Sequence, residues 1–446
     1  MTTNPERKHG HANSVPFASN RTAGASSERA LNPGFFRIEE RDGKWLLIDP
    51  AGKPFHMRGC NHYSNGSRMP WNLQERYGGD RAKWIRELRN RHRDWGFTFL
   101  APSIGGAAID PATQPDRTKL VERQPEWTAQ ERIAADFPFT PFLGVPKEYM
   151  AGEGMGDVWG QEFIDAVDAR CRELVAPLKD SRQLIGYHFS HNPPWNVRAK
   201  SCEQWIRDCT KPGGAGLKEW VKLMRRVYGS IERWRKVYGA PIQEWSDIER
   251  LRNPLQGYNS AGKQLADMDA FMALICEQWH RVHHDAIRKY DKNHLILGDR
   301  NTLHLQPPLQ PWAIGIMRRY VDVLSVNVMG PPPTAYGLLE LATRHWDGPI
   351  LLADTGATVY TGEPPKCGYR AKDLAEFEAC YRGIMEMSLD HPQIIGFGWC
   401  GWYETPDGHP AMRSGLVDCR TDEPLSERLA IVKKWNAWMK ERYPAG

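Results

Sequence analysis

The chain has 446 residues, with 59 Lys and Arg against 54 Asp and Glu, so its formal net charge is +5. Hydrophobic residues make up 41% and aromatic residues 11%, enough to bury a core, which excludes a chain that is disordered throughout. The small excess of positive charge is spread along the chain, which excludes the dense basic patch of a nucleic-acid-binding protein.

The N-terminal segment 1–33 is rich in Ser, Asn, Arg and Ala and holds no apolar stretch of signal-peptide length. We therefore expect a disordered polar tail on a cytoplasmic protein. The chain has no run of about 18 apolar residues, so the sequence predicts no membrane partner. Its nine cysteines form no Cys-x-x-Cys pair, and we expect free thiols in a reducing compartment.

Residues 34–55 contain two turn signals, Asp42-Gly43 and Pro50-Ala51-Gly52, and predict a β-hairpin. Short apolar runs then alternate with longer amphipathic stretches, which is the pattern of parallel strands joined by helices. The eight predicted strands are 56–62, 97–103, 137–145, 184–192, 294–300, 321–328, 349–356 and 394–402. Eight strand-helix units predict an α/β fold, a (β/α)8 TIM barrel in which residues 34–446 form a single elaborated barrel.

One predicted connection is much longer than the others. Residues 201–265, between the fourth and fifth predicted strands, carry apolar residues at helical spacing after a Gly-rich loop. The sequence therefore predicts a helical insertion after the fourth strand. Two interpretations stay open, a wall of the substrate cleft and an added outer layer of helices.

The active site of a barrel of this type forms at the C-terminal ends of its strands. Polar side chains occupy these ends here, where a purely structural strand would carry Val and Leu. They are Asn61, His62, His188, His191, Asn192, Asp299, Arg300, Asn327, Asp354 and Glu404, with His304 shortly after the fifth strand. We expect the adjacent Asp299 and Arg300 to form an internal ion pair.

Tryptophan is abundant, with 18 residues, and its flat ring can stack on the C–H face of a sugar while the indole N–H donates a hydrogen bond. Trp195, Trp399 and Trp402 fall near the predicted strand ends. They predict a sugar-stacking platform, with core filling as the alternative.

The ordered segments DGKWLLIDPAGKPFHMRGCNH, LIGYHFSHNPPW, NHLILGDR, DVLSVNV, PILLADTG and IIGFGWCGWYE resemble the strand motifs of β-agarase-like (β/α)8 glycoside hydrolases, within the large retaining-glycosidase clan. The resemblance covers roughly residues 35–436. It implies a carbohydrate substrate, and Trp399 resembles the sugar-platform tryptophan of the clan.

Members of this family carry an Asn-Glu pair at the end of the fourth strand, with Glu as general acid/base, and a nucleophilic Glu at the end of the seventh. The resemblance places His191 in the Asn position and Asn192 in the acid/base position. Asp354 falls in the nucleophile position. Both usual catalytic Glu residues are therefore substituted.

These substitutions predict an atypical mechanism. A retaining glycosidase needs two carboxyl groups about 5–5.5 Å apart, and Asn192 cannot release a proton. Four routes stay open: His191 or His188 as the acid; Glu404 as the acid with Asp354 activating water; a substrate whose leaving group needs no proton; or an elimination with His191 as base and Asp354 orienting it.

The sequence thus predicts a glycoside hydrolase-like, carbohydrate-active enzyme that cleaves an oligosaccharide or small glycoside. A lyase or isomerase using His191 and Asp354, and a non-catalytic sugar-binding barrel, are the alternatives. No phosphate-binding loop or dinucleotide fingerprint occurs, so we predict no cofactor and no metal site. His280, His283 and His284 stand at helical spacing and are expected to lie on the surface. A homo-oligomer stays open.

Overall fold

The computed structural model describes residues 33–63, 76–102, 127–145, 155–193, 195–199, 202–249, 262–303, 309–359, 369–404, 414–418 and 421–443. The predicted tail 1–33 lies outside the described residues except for Pro33. No described helix combines the length and the apolar character that a bilayer crossing requires.

Strands and helices alternate along most of the described chain. The strands are β1 Arg37–Arg41, β2 Lys44–Ile48, β3 Met57–Cys60, β4 Phe99–Leu100, β5 Gly186–His191, β6 Leu295–Thr302, β7 Leu324–Met329, β8 Ile350–Val359, β9 Tyr369–Ala371 and β10 Ile394–Trp399. The first helices are α1 Arg81–Asp94, α2 Ala129–Ala134 and α3 Gln161–Arg170, which continues through the π-helical segment Cys171–Val175 into α4 Ala176–Leu178. The later helices are α5 Cys202–Cys209, α6 Ala215–Tyr228, α7 Ile231–Tyr238, α8 Trp245–Ile248, α9 Gly262–Tyr290, α10 Pro311–Met317, α11 Pro332–Thr343, α12 Leu374–Asp390 and α13 Ser426–Arg442.

Seven strands form one curled parallel sheet in the order β4-β3-β10-β8-β7-β6-β5, and the short β9 pairs with β8. Helices lie between successive strands in the chain. This arrangement confirms the predicted α/β class with a parallel sheet. The closed eight-stranded barrel stays a prediction.

The predicted third strand, 137–145, differs from the others in forming only isolated bridges. Phe139 pairs in parallel with Leu100 on one side and with Leu184 on the other. Pro138 and Pro141 have no N–H to donate, which interrupts a regular ladder. Their carbonyls accept instead, since Leu100 N donates to Pro138 O at 2.8 Å and His188 N donates to Pro141 O at 2.9 Å. The segment therefore hydrogen-bonds to both β4 and β5, the two edge strands of the sheet.

The predicted hairpin region contains β1 and β2, which pair antiparallel across the turn Asp42-Gly43. Both turn residues have positive φ, 52° and 74°, as a tight two-residue hairpin requires. From this region, Phe36 and Leu47 pack with residues near the N-terminal ends of the sheet strands, which include Met57, Phe99, Ile185, Leu295, Val323, Leu351 and Ile395. The hairpin thus packs against the N-terminal end of the sheet, opposite the end where the predicted site residues lie.

The predicted insertion 201–265 contains α5 to α8 and the start of α9. Asp267 on α9 accepts hydrogen bonds from the hydroxyls of Tyr228, on α6, and Tyr238, on α7. Four indoles are buried among these helices and α9, namely Trp205, Trp220, Trp234 and Trp279, each no more than 1% exposed. The insertion helices are thereby packed tightly onto α9.

Candidate active site

Four polar side chains meet at the C-terminal ends of neighbouring strands. Asn61 directly follows β3, Arg300 lies on β6, Asn327 on β7 and Asp354 on β8. Their exposed fractions lie between 0% and 4%. Because parallel strands end at the same edge of a sheet, residues far apart in the sequence become neighbours here. The structure therefore brings four of the predicted site residues together.

Asp354 is held by side chains from two other strands. Asn61 Nδ2 donates to Asp354 Oδ1 at 2.9 Å, and Arg300 Nη2 lies 2.6 Å from Asp354 Oδ2. The guanidinium of Arg300 also packs over the Phe142 ring, 5.6 Å from its centroid. Removing either charge would leave the other buried without compensation, so the two groups form one electrostatic unit.

Arg300 does not pair with its neighbour Asp299, so that expected ion pair is wrong. Adjacent residues on a strand point to opposite faces of the sheet, and Asp299 faces α9 and Trp195 instead. Its carboxylate accepts hydrogen bonds from Ser190 Oγ at 2.6 Å, Trp195 Nε1 at 3.2 Å and Trp279 Nε1 at 3.2 Å, and lies 3.2 Å from His280 Nε2. Burial alone raises the pKa of Asp299, but hydrogen bonds from His280 and Ser190 outweigh it, and the net pKa is lowered.

A chain of hydrogen bonds leads from Arg300 outward to His191. Arg300 Nε donates to Asn327 Oδ1 at 3.4 Å, Asn327 Nδ2 donates to Asn192 Oδ1 at 2.6 Å, and Asn192 Nδ2 lies 3.0 Å from His191 Nε2. A guanidinium can only donate, which fixes the orientation of the Asn327 amide and then that of Asn192. His191 Nε2 must therefore accept, so the chain favours a neutral His191 with its proton on Nδ1.

The two histidines of β5 are consequently poor candidates for the missing acid. Burial, together with the nearby charge of Arg300, lowers the pKa of His188 to about 3, so it is neutral near pH 7. His191 is half-buried and accepts at Nε2 from an amide, an arrangement that suits a base better than an acid. The route with His188 as general acid is not supported.

Asn192 occupies the predicted acid/base position and is the exposed end of the polar cluster. Its φ of 55° lies in the left-handed region, which Asn tolerates better than most residues. The Asn192 amide oxygen accepts from both Thr302 Oγ1 and Asn327 Nδ2. With its oxygen held by two donors, Asn192 is fixed in direction and can offer a ligand only hydrogen bonds.

Glu404, the other predicted acid, is engaged elsewhere. Arg428 on α13 forms an ion pair with Glu404 Oε2 and also donates to the Gly415 carbonyl at 2.9 Å. This pairing stabilises the charged carboxylate, whereas a general acid must start protonated. The geometry therefore disfavours the route in which Glu404 supplies the proton.

The predicted sugar platform is not supported at Trp402. Its ring is 1% exposed and stacks on His92, with centroids 4.2 Å apart, and on Trp95, with centroids 4.6 Å apart. Both stacks are nearly parallel, at 2° and 16°. Buried to this extent, the indole has no open face for a sugar ring.

Trp195 and Trp399 are buried as well. Trp195 is 1% exposed, and its N–H is one of the donors to Asp299. Trp399 is fully buried, and its N–H donates to the Ser414 carbonyl at 3.0 Å. The alternative interpretation, core filling, therefore describes all three indoles in this structure.

Other predictions have mixed outcomes. His304 lies outside the described residues. His280 and His283 are fully buried, so the expectation of surface histidines is wrong for both. The reason is that α9 is covered by the sheet on one side and by the insertion on the other. His283 Nδ1 hydrogen-bonds the Trp279 carbonyl at 2.9 Å, and burial lowers its pKa to about 4.

Two further residues of the site carry no signal in the sequence. Thr302, at the end of β6, helps to orient Asn192. Cys400 follows β10, and its Sγ, a ring nitrogen of His62 and a carboxylate oxygen of Asp354 lie within 4.8 Å of one another. Polar Thr and Cys residues are common at strand ends, and only the folded structure distinguishes these two.

The chain is similar in sequence to the β-agarase B of Vibrio sp. strain JT0107. The two are 20% identical over 92% of this chain and 49% of the Vibrio enzyme, so the chain spans about half the length of that relative. No family model matches the chain.

The fold is similar to solved agarase structures. An exo-β-agarase matches with a TM-score of 0.69 and 18% identity over 92% of this chain and 66% of its own. The agarase AgWH50C matches with a TM-score of 0.67 at the same identity and coverage. A β-galactosidase from the haloarchaeon Halorubrum lacusprofundi matches with a TM-score of 0.56 and 12% identity over 86% of this chain and 58% of its own. These comparisons confirm the resemblance to β-agarase-like glycoside hydrolases that the strand motifs indicated.

Proposed function

We propose that the protein is a glycoside hydrolase-like enzyme that cleaves an oligosaccharide or small glycoside, with Asp354 as its catalytic carboxylate. The observation that carries the proposal is the buried Asp354–Arg300 pair at the C-terminal strand ends, connected through Asn327 to the exposed Asn192. A buried charge pair that leads to an exposed amide is typical of a ligand site rather than of a structural core. Similarity to an agarase along 92% of the chain supports a carbohydrate as the ligand.

We further propose that residues 137–145 complete an eight-membered barrel wall, since they hydrogen-bond to both edge strands. The site would then lie in the barrel mouth, the usual position in this fold.

The mechanism that we propose uses Asp354 as the charged catalytic carboxylate and does not use residue 192 as an acid. Asp354 would attack the anomeric carbon or activate water there, and the Asn192 amide would hydrogen-bond the sugar. General acid catalysis typically raises the reaction rate by about 10²–10⁴-fold. Its loss is therefore tolerable mainly for substrates whose leaving group departs without a proton. The contacts of His188 and Glu404 support this route over the two that require an added acid.

The experiment is a screen of oligosaccharides and activated aryl glycosides with identification of the products. We expect release of sugar from at least one activated glycoside, and loss of that activity in Asp354→Asn. A complete absence of release across the panel would contradict the hydrolase proposal.

A lyase or isomerase is the second candidate, and the hydrogen-bond chain that ends at His191 favours it. The only basic lone pair of this neutral imidazole is at Nε2, so His191 would remove a proton from carbon once a substrate displaces the Asn192 amide from that atom. Incubation in D₂O followed by NMR separates the two candidates, because only proton abstraction from carbon introduces deuterium there. Sugar binding with no turnover in either assay would favour the third alternative, a non-catalytic binding protein.

The cytoplasmic location and the oligomeric state stay predictions from the sequence. Cell fractionation tests the first, and analytical ultracentrifugation tests the second.

A further inference from the structure

Among the residues that the structure describes, one group of three side chains has the chemistry and spacing of a metal site. It consists of His62, two residues after β3, Asp354 on β8, and Cys400, directly after β10, and one potential ligand atom of each lies within 4.8 Å of the other two. The exposed fractions are 4% for His62, 4% for Asp354 and 0% for Cys400. We propose that these three residues bind a divalent transition-metal ion, with zinc as the ion that best fits the ligand set.

The ligand types support zinc over the alkaline-earth ions. Imidazole nitrogen, carboxylate oxygen and thiolate sulfur are all zinc ligands, with bonds of about 2.0–2.3 Å, whereas Mg²⁺ and Ca²⁺ prefer sites made only of oxygen. Three protein ligands with a fourth position for water or substrate is the arrangement of catalytic zinc sites. Binding would release the Cys400 thiol proton to solvent, since the thiolate is the form that ligates.

The surroundings of Asp354 resemble the outer shell of a metal site. Ligating carboxylates are usually hydrogen-bonded by further side chains that orient them. Here Asn61 donates to one carboxylate oxygen at 2.9 Å, and Arg300 lies 2.6 Å from the other. Each oxygen has a second lone pair for a metal. The charges of a bound zinc ion, the Cys400 thiolate, the Asp354 carboxylate and the Arg300 guanidinium add up to one net positive charge. This charge favours hydroxide or an anionic group as the fourth ligand.

Backbone hydrogen bonds hold the three ligand segments together. Asn61 N donates to Trp399 O at 2.8 Å, and Trp402 N donates back to Asn61 O at 2.8 Å. Cys400 N donates to Thr355 O at 2.7 Å. Each bond involves Cys400 itself or a residue within two positions of a ligand, so the backbone segments that carry the three ligands are held beside one another.

The backbone at His62 also indicates a functional constraint. Its φ of 64° is unusual for a residue with a side chain, and such outliers persist mainly where function requires them. Gly401 lies close to the ring, because a Cβ at Gly401 would sit 3.1 Å from His62 Cδ2. The lack of a side chain at 401 therefore lets the chain after Cys400 approach the imidazole.

Metal binding to the resting protein provides the test, and it does not depend on the proposed glycosidase activity. Full-length protein without a histidine tag is treated with a chelator, incubated with Zn²⁺, desalted and measured by mass spectrometry of the metal. We expect one equivalent of zinc per chain. With Co²⁺ in place of zinc, we expect a thiolate-to-cobalt charge-transfer band and the visible bands of tetrahedral cobalt.

Two variants test the ligands, and a third is the control. Cys400→Ser should abolish the charge-transfer band, and His62→Asn should weaken Co²⁺ binding at least tenfold while keeping a residue that tolerates positive φ. Cys380→Ser is the matched control, because Cys380 is another buried free cysteine, and its Sγ hydrogen-bonds the Gly330 carbonyl at 3.8 Å, away from the proposed ligands. This control should bind zinc and Co²⁺ like the unmodified chain.

Retention of less than a tenth of an equivalent of zinc by the unmodified protein would overturn the proposal. An identical cobalt spectrum in Cys400→Ser and Cys380→Ser would overturn it equally, because the thiolate would then come from elsewhere. Zinc binding in a protein that releases no sugar would support the metal site while contradicting the proposed function, so the two fail separately.

Discussion

Two buried carboxylates, Asp354 and Asp299, lie on opposite faces of the same sheet and differ in what surrounds them. Asp299 is enclosed by donors that belong to the core, including two indole N–H groups and a serine hydroxyl. Asp354 is held by an amide and by the guanidinium of Arg300, whose other contacts lead to an exposed asparagine. The first carboxylate connects the sheet to α9, whereas the hydrogen bonds around the second lead toward solvent.

This difference shows why burial and charge alone do not identify a site. Both carboxylates are at most 4% exposed, and both have a cationic or ionisable partner. The two carboxylates differ in where their hydrogen-bonded partners lie, in the core for Asp299 and toward the exposed Asn192 for Asp354. We therefore expect substitution of Asp299 to reduce stability alone and substitution of Asp354 to reduce both stability and turnover.

The largest expected effect is on turnover in Asp354→Asn. Loss of the catalytic carboxylate should lower kcat on an activated glycoside by on the order of 10²–10⁴-fold. The matched control is Asp299→Asn, which also removes one buried carboxylate charge. Assays at a temperature where circular dichroism shows both variants folded should give turnover within about tenfold of the unmodified enzyme for the control. Equal losses in the two variants would contradict the distinction between the carboxylates.

The next effect is the loss of stability in Asp299→Asn. Its amide N–H groups would face Trp195, Trp279 or Ser190, which also donate, and each buried donor left without an acceptor costs about 1–3 kcal/mol. We expect the free energy of unfolding in urea to fall by about 3 kcal/mol. The control is Asp347→Asn, since Asp347 is 81% exposed and pairs with Arg318 at the surface. Such pairs contribute about 0–1 kcal/mol. A loss at Asp299 no larger than at Asp347 would show that the indole contacts are unimportant for stability.

A smaller effect is expected at Asn192, where we predict the same loss of activity for every substrate, whatever its leaving group. If the amide only hydrogen-bonds the sugar, Asn192→Ala should lower kcat/KM by about tenfold, roughly 1.4 kcal/mol, for aryl glycosides with good and poor leaving groups alike. A residue that supplied a proton would matter far more for poor leaving groups. A loss that grows steeply with the pKa of the leaving group would therefore contradict the assigned role.

The sequence predicted much of the site because of a general property of parallel sheets. Asn61, Arg300 and Asn327 are predicted as polar residues at strand ends, whereas Asp354 is predicted both in that way and by its match to the nucleophile position of the β-agarase-like motif. Strand ends converge whatever the details of packing. The same reasoning could not find the contacts of Cys400 or Thr302, because their importance depends on side-chain directions across the sheet.

Two other predictions differ from the structure for reasons that are local and physical. Trp402 lies near the strand ends in the sequence, but it is 1% exposed and stacks on His92 and Trp95. The third predicted strand bridges to both β4 and β5, but Pro138 and Pro141 limit its pairing to isolated bridges. Composition thus indicated where aromatic and apolar residues are, but not which surfaces they leave open.

The last prediction concerns pH and tests the side of the sheet that contains Asp299. His283 has a pKa of about 4 when folded, chiefly through burial, against about 6.5 in an unfolded chain. Between these values the unfolded chain binds a proton that the folded protein does not, so stability falls as the pH drops from 6.5 toward 4. The slope from this one residue is at most about 1.4 kcal/mol per pH unit. The charged or titratable groups that act on it are Asp299, which raises its pKa, and His280, which lowers it.

His283→Phe removes this titration and keeps an aromatic ring beside Phe189, whose centroid lies 4.9 Å from that of His283. Urea unfolding at pH 7, 6 and 5 should show a shallower loss of stability in the variant than in the unmodified protein. Other buried histidines, such as His188, contribute to both curves, so the difference between the curves isolates His283. Parallel curves would mean that His283 takes up its proton in the folded protein as readily as in the unfolded chain, and its surroundings beside Asp299 would then be more polar than the contacts indicate.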